Sequence, residues 1–223
     1  VSSNVFKKLS VKVRKEIVTL GVPEIDPTTI VGTYIEPEEW DSFISKKEVI
    51  TIDTRNDFEV ELGTFEGSVN PQTVSFHEFS EWWKDKGKAL KNKKIAMFCT
   101  GGIRCEKATS FLKSQGLEEV YHLKGGILNY FDKVENSETS TWKGDCFVFD
   151  QRVTVNSHLE PGDFDLCHAC RSPLRLTDKN HEHYEKGISC HKCFGTKTDK
   201  KILSLKERKK QFDLLKDRRS KNE

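Results

Sequence analysis

The segment Lys94-Ile95-Ala96-Met97-Phe98 is almost continuously apolar, the pattern of a short strand buried on both faces. It runs without a break into Cys99-Thr100-Gly101-Gly102-Ile103-Arg104, and a helical pattern follows over residues 106–115. There Ala108, Phe111 and Leu112 fall on one side, and Gly116 supplies the stop. A strand buried on both faces needs parallel neighbours and helices on either side, and the flanking sequence provides both. Pro37-Glu38-Glu39-Trp40 opens a helix with Trp40, Phe43 and Ile44 on one face. Val49-Ile50-Thr51-Ile52 is a β-rich run ending at Asp53, and residues 76–83 set Phe76, Phe79, Trp82 and Trp83 at helical spacing. Val120-Tyr121-His122-Leu123 is a further strand, closed by Gly125-Gly126. This alternation predicts an α/β domain over residues 34–134, a parallel sheet flanked by helices.

The remainder divides by composition. Residues 1–33 begin with the alternating runs Leu9-Ser10-Val11-Lys12-Val13 and Ile17-Val18-Thr19-Leu20, broken at Gly21, which predict strands. Two strands alone bury too little surface to be stable, so residues 1–33 are expected to be the remnant and linker of a preceding domain, the chain starting mid-domain. Residues 135–162 are expected to be a polar linker and short strands, among them Cys146-Phe147-Val148-Phe149. Residues 163–195 form a four-cysteine segment and residues 196–223 a basic helical tail. Its helix is expected from Ser204 to Lys221, with Ser204 and Glu207 spaced as a capping box.

Charge and cysteine usage narrow the function classes. The whole chain carries 37 Lys+Arg against 35 Asp+Glu, a formal +2 that names no partner. Residues 197–223 hold 11 basic and 5 acidic residues, a net +6. Within them Lys206, Arg208, Lys209, Lys210, Arg218 and Arg219 are candidates for phosphate contacts in RNA. No apolar run approaches the ~20 residues that span a bilayer, so no membrane association is expected. Seven cysteines with no export signal point to a reducing, cytoplasmic setting in which thiols serve metal binding or catalysis.

The loop after the buried strand carries chemistry. At the carboxyl end of a parallel strand ligands bind, and the two glycines let Thr100, Gly101, Gly102 and Ile103 curl their N–H groups inward as an anion nest. The following helix N-terminus adds about half a positive charge. Cys99 is therefore expected to be a thiolate nucleophile, with Arg104 as a fixed cation beside it. The spacing Cys-x4-Arg is one residue shorter than the Cys-x5-Arg of cysteine phosphatases, and the tighter ring suits a terminal sulfur better than a phosphate.

These residues carry a resemblance. Ile52-Asp53-Thr54-Arg55 with Phe58-Glu59 and Gly63, Gly67-Ser68-Val69-Asn70 and Leu123-Lys124-Gly125-Gly126 resemble the rhodanese family. Residues 12–23, 51–56, 97–107, 122–128 and 142–153 resemble one subfamily almost residue by residue: the rhodanese-domain tRNA uridine hydroxylases, which make 5-hydroxyuridine at the wobble position with molecular oxygen. The resemblance reaches Cys193. It implies that Cys99 is the catalytic cysteine, carrying a persulfide as in rhodaneses. It also implies a small N-terminal α/β domain of which residues 6–20 are the final strands. Asp53 and Arg55 are then supports behind the loop, or a pair that stabilises the turn. Cys105 is a resolving thiol or a small helix residue, and Cys146 is core.

Cys167-x2-Cys170 and Cys190-x2-Cys193, 19 residues apart, have the spacing of a zinc-ribbon-like site with four thiolate ligands. Zinc held so is structural, because no coordination position stays open. Its histidine neighbours are expected at the surface, and Phe194, Tyr184 and Arg171 are candidates for RNA contact. Three readings of function follow. The first is hydroxylation of the wobble uridine in a tRNA anticodon loop, with molecular oxygen as co-substrate and no organic cofactor, since no flavin, haem or iron motif is visible. The others are rhodanese-type transfer of persulfide sulfur to a thiol, and a non-catalytic module that binds RNA or protein. In the first, Cys99 adds to C6 of the base, and Arg104 with the loop N–H groups stabilises the enolate.

Overall fold

The computed structural model describes residues 10–90, 92–134 and 140–220. The chain divides into two compact units, residues 1–162 and 163–223. In the first, strands β1 (Thr33–Ile35), β2 (Val49–Asp53), β4 (Lys94–Phe98) and β5 (Val120–Leu123) make one parallel sheet in the order β1-β5-β4-β2. Strand β3 (Gly63–Phe65) lies outside it, paired with β6 (Trp142–Gly144). The helices are α1 (Pro37–Ile44), α2 (Asp57–Val60), α3 (Phe79–Asp85), α4 (Ile103–Ser114) and α5 (Gly126–Lys133). The α/β reading of residues 34–134 therefore holds. Strand β1, too short and too exposed for a pattern to show, was absent from it.

The two-residue period of β4 builds both cores. Ile95, Met97 and Cys99 face the layer of Phe79, Trp83, Ala108, Phe111 and Leu112 from α3 and α4. Ala96 and Phe98 face Trp40, Ile127, Tyr130 and Phe131 from α1 and α5. On that second side Phe65 stands edge-on to Phe98, Tyr130 and Trp142, with centroids 4.9 to 5.1 Å apart, each pair worth about 0.5–1.5 kcal/mol beyond its burial.

Several local expectations change. Among the described residues 10–32 no strand forms; residues 6–9 lie outside the described part. Val11, Val13 and Ile17 are exposed because no sheet edge is offered to them. Instead Glu16 pairs with Lys107 of α4, Lys107 also donates to the Val18 carbonyl at 3.3 Å, and Leu20 is fully buried in the α3–α4 core. The described part of the segment is thus packed onto the domain through Glu16, Val18 and Leu20. Residues 76–78 are a 3₁₀ turn before α3, and α4 begins at Ile103, so Cys105 lies inside the helix. Of the 146–149 run only β7 (Cys146–Phe147) is strand, paired with β8 (Thr154–Val155). Residues 135–139 of the expected linker lie outside the described part.

The second unit holds a hairpin, β9 (Phe164–Leu166) with β10 (Pro173–Arg175), and the long helix α6 (Asp199–Ser220). That helix starts earlier than expected: the Thr198 hydroxyl accepts the Lys201 N–H at 3.3 Å, and Ser204 lies mid-helix. Leu205 is its buried contact.

The β1–β5 junction generates a prediction. His122 on β5 is fully buried; its Nδ1 meets the Thr109 hydroxyl at 3.1 Å, and its Nε2 has no protein partner. Burial lowers its pKa to about 4. As pH falls below about 6.5 the unfolded chain gains a proton that folded His122 refuses, so stability is lost from there down to about 4. All four tryptophans lie in the first unit. Urea unfolding followed by tryptophan fluorescence should lose about 2 kcal/mol more between pH 7 and 5 in the native sequence than in His122→Gln. Equal losses would show that His122 is not the group responsible.

Candidate active site

The Cys99 loop is shaped by two glycines at positive φ. Gly102, at φ 89°, turns its N–H back onto the Cys99 sulfur at 3.2 Å and starts α4. Gly126, at φ 69°, brings the N-terminus of α5 onto the loop, where Ile127 N–H donates to the Cys99 carbonyl at 2.9 Å and Leu128 N–H to that of Thr100 at 3.1 Å. A Cβ at Gly126 would lie 2.4 Å from the Cys99 carbonyl oxygen. The backbone N–H groups of Arg104 and Cys105 also reach the sulfur. Of the four residues expected to turn their N–H groups inward, Thr100, Gly101, Gly102 and Ile103, it is Gly102 whose N–H meets the sulfur, and Gly102 alone of the two glycines has a positive φ.

Burial pushes the Cys99 thiol up. A hydrogen bond from the Cys105 thiol, the Arg104 charge and those backbone donors outweigh it and bring the value down to about 6. Cys105 carries the opposite shift: burial and the neighbouring Cys99 sulfur raise it well above an ordinary thiol. The pair divides into one thiolate and one thiol that donates to it. Cys146, expected as core, is fully buried and pushed up to about 12 by burial.

Arg104, expected as a fixed cation beside Cys99, is ion-paired. Its NH1 donates to Glu59 Oε2 at 2.7 Å and its NH2 to Glu59 Oε1 at 2.8 Å, with Thr100 Oγ1 3.2 Å away. Glu59 is completely buried, and its Oε2 also accepts the Asn56 N–H at the start of α2, at 3.1 Å. The guanidinium stays charged but is paired and aimed at α2, which draws its terminal nitrogens toward Glu59 and away from the enolate contact expected of them. Glu59 was quoted in the Phe58-Glu59 motif without a role. Its place three residues after Asn56, where a carboxylate caps a helix, is the signal that marks it.

Asp53 and Arg55 touch neither Cys99 nor Arg104. They form an ion pair of 2.6 Å with both side chains fully buried; Arg55 also donates to the Gly63 carbonyl at 2.5 Å, and Thr64 donates to Asp53 at 2.8 Å. Both earlier readings meet in this geometry. The pair fixes the turn that holds Thr54, and Thr54 Oγ1 lies 3.0 Å from the Phe98 carbonyl and 3.3 Å from the Cys105 sulfur. Their influence on Cys99 therefore passes through Thr54 and Cys105.

Above Cys99 opens a cleft of about 330 Å³. The loop residues Thr100, Gly101, Ile103 and Arg104 form one side, and Val18, Leu128, Val148, Phe149 and Asp150 the other. Val18 and the 148–150 turn went unnoticed as site residues, because distant segments bring them there.

In the second unit the sulfurs of Cys167, Cys170, Cys190 and Cys193 all lie within 4.8 Å of one another. Contacts of 3.9 Å between Cys167 and Cys193, 3.7 Å between Cys170 and Cys190, and 3.7 Å between Cys190 and Cys193 match the edges, about 3.8 Å, of a sulfur tetrahedron 2.3 Å around an ion. The four residues can bind a metal, and no histidine of the described residues joins the group. Phe194, stacked on His183 at 4.0 Å, is exposed, and Tyr184 packs on the cysteine cluster. The basic tail is partly engaged: Arg208 donates to the His168 carbonyl, and Lys209 pairs with Glu185 at 3.7 Å. Lys206 and Lys210 are exposed; the side chains of Arg218 and Arg219 lie outside the described part. Among the described residues no helix is long and apolar enough to cross a membrane.

Residues 36–133 match the model of the family described as Rhodanese-like domain. Solved structures similar to the chain include a rhodanese-related protein from Thermoplasma volcanium, 27% identical over 45% of this chain and 92% of that one, with a TM-score of 0.37. A Rhodopseudomonas palustris protein described as a possible tyrosine phosphatase is 24% identical over 48% of this chain and 83% of its own, with a TM-score of 0.41. An As–Sb reductase from Leishmania major is 22% identical over 52% and 87%, with a TM-score of 0.40. The parallel sheet and the cysteine loop at its carboxyl edge are those of a rhodanese-like domain spanning residues 36–133.

Proposed function

We propose that this protein is a tRNA-modifying enzyme in which the Cys99 thiolate attacks C6 of the wobble uridine in an anticodon loop, preparing C5 for hydroxylation by molecular oxygen. One observation carries the choice of substrate: Glu59 takes up both terminal nitrogens of Arg104, and the cleft beyond is walled by Val18, Leu128, Val148 and Phe149. A site whose cation is already ion-paired with a carboxylate and whose walls are largely apolar holds a neutral ring better than thiosulfate or a phosphate ester. The alternative, transfer of persulfide sulfur to a thiol, uses the same thiolate and the same loop but calls for an anionic donor.

The chain's groups divide the work as follows. The Cys99 sulfur forms a bond to C6, and the C5–C6 electron pair moves onto the C4 carbonyl as an enolate, leaving C5 nucleophilic. The loop N–H groups stabilise the charge; Arg104, held by Glu59, positions the loop. Oxygen then bonds at C5 as a hydroperoxide, two thiols of the reductant cleave its O–O bond to leave a C5 hydroxyl, water and a disulfide, and loss of the C5 proton with expulsion of the cysteine restores the ring. The balance is one oxygen atom into the base and one into water, with two electrons and two protons from a thiol reductant. The base reaches Cys99 by leaving its stack, which an anticodon loop permits at low cost. Lys206 and Lys210 are the phosphate contacts this reading assigns to α6. In the second unit the four cysteines hold zinc, which has a structural role there, and the setting is cytoplasmic.

Two measurements follow. Alkylation of Cys99 by iodoacetamide should rise with pH through a midpoint near 6 and level off above about 7, since the thiolate is the reacting form; in Cys105→Ala, which loses the donated hydrogen bond, the midpoint should move up. A midpoint near 8.5 in the native sequence would remove the nucleophile from the scheme. Zinc should co-purify at one ion per chain, and Cys167→Ser or Cys190→Ser should release it. Reduced protein purified without chelator and found free of metal would contradict the zinc assignment.

A further inference from the structure

The rhodanese-like match ends at residue 133, yet one wall of the Cys99 cleft is built by the β7–β8 hairpin beyond it. Successive residues of the hairpin face opposite ways. Val148 is buried in the α1–α5 core, whereas Phe149, which also lines the cleft, is 67% exposed. This exposed ring is nevertheless fixed on several sides. Phe147 meets it edge-on with centroids 5.0 Å apart, and Phe58 buttresses Phe147 in turn at 5.1 Å. The Arg104 guanidinium lies 5.9 Å from the Phe149 ring and is itself locked by Glu59. The turn behind it is tied by Arg152, whose NH2 donates to Asp150 at 2.6 Å and whose backbone N–H does so at 2.9 Å.

A held aromatic face beside a thiolate is the arrangement that seats a flat ring. We propose that Phe149 is the stacking platform on which the target pyrimidine lies over Cys99, which makes the hairpin the specificity element of the site. The inference rests on the reading of an RNA base as substrate and adds to it the residue that recognises the base. Stacking supplies the recognition that a neutral ring needs in the absence of a free cation, and it is indifferent to which hydrogen-bonding groups the base carries. Selection of uridine then falls to the reactivity of its C6, and Phe149 selects for an unpaired base.

The probe is a short stem–loop RNA with 5-fluorouridine at the wobble position of its loop, allowed to form a covalent adduct with Cys99 and resolved on denaturing gels. Phe149→Ala, Phe149→Leu and Phe149→Trp are compared with the native sequence, and iodoacetamide alkylation of Cys99 in each variant reports whether the loop is intact. The RNA concentration giving half-maximal adduct rate should rise about tenfold to a hundredfold in Phe149→Ala and Phe149→Leu and stay near native in Phe149→Trp, while alkylation is unchanged in all three. Equal half-maximal concentrations in the native sequence and in Phe149→Ala and Phe149→Leu would overturn the platform and leave the RNA reading standing. No adduct from the native protein, with normal alkylation, would overturn the RNA reading and the platform with it.

Discussion

Glu59 and Arg104 meet through two hydrogen bonds of 2.7 and 2.8 Å across the edge of the cysteine loop, and most of the site follows from that contact. It joins α2, which follows the Asp53–Arg55 turn, to the first turn of α4, so the loop is clamped at both ends. Removing one partner of a buried pair of this kind leaves an uncompensated charge and costs about 3–5 kcal/mol. Burial works against the Arg104 charge, and the Glu59 carboxylate more than offsets it. The positive charge therefore persists near Cys99 and helps keep the thiolate, while each terminal nitrogen gives one hydrogen bond to Glu59 and NH2 gives a second to Thr100.

That separation of charge from donors decides the chemistry. The thiolate is stabilised by backbone N–H groups, by the Cys105 thiol and by the Arg104 field, none of which needs the guanidinium to reach the substrate. What meets an incoming molecule is apolar: Val18, Leu128, Val148 and the exposed ring of Phe149. An oxyanion would find an occupied guanidinium there, and a flat neutral ring finds a surface to lie on. The Asp53–Arg55 ion pair lies behind this arrangement, next to Thr54, whose hydroxyl lies against the Phe98 carbonyl and the Cys105 sulfur.

Much of this was legible in the residues. The continuous apolar run of β4 announced a buried parallel strand, and the strand–loop–helix order of residues 94–115 put Cys99 at a ligand-binding edge. The four cysteines carried their own geometry in their spacing. What stayed hidden was contact across sequence distance: Glu59 reaches Arg104 over 45 positions, and Val18 and Phe149 arrive from segments outside the α/β pattern. Local alternation misled at residues 10–20, because a strand needs an available edge: Val11, Val13 and Ile17 are exposed, and Val18 and Leu20 pack on the core beside α3 and α4. The start of α6 was misplaced because Thr198 and Ser204 are both plausible caps and only packing around Leu205 selects between them.

The central claim is that Glu59 makes the Cys99 cleft unreceptive to anions. Glu59→Gln keeps the shape, removes the countercharge and leaves an acceptor for only one of the two Arg104 terminal nitrogens. The most direct measurement is protection of Cys99 from iodoacetamide by inorganic phosphate and by thiosulfate, before and after that change. The native protein should be protected weakly by either anion and Glu59→Gln at least tenfold more tightly. Strong protection of the native protein, or equal protection of both, would contradict the account.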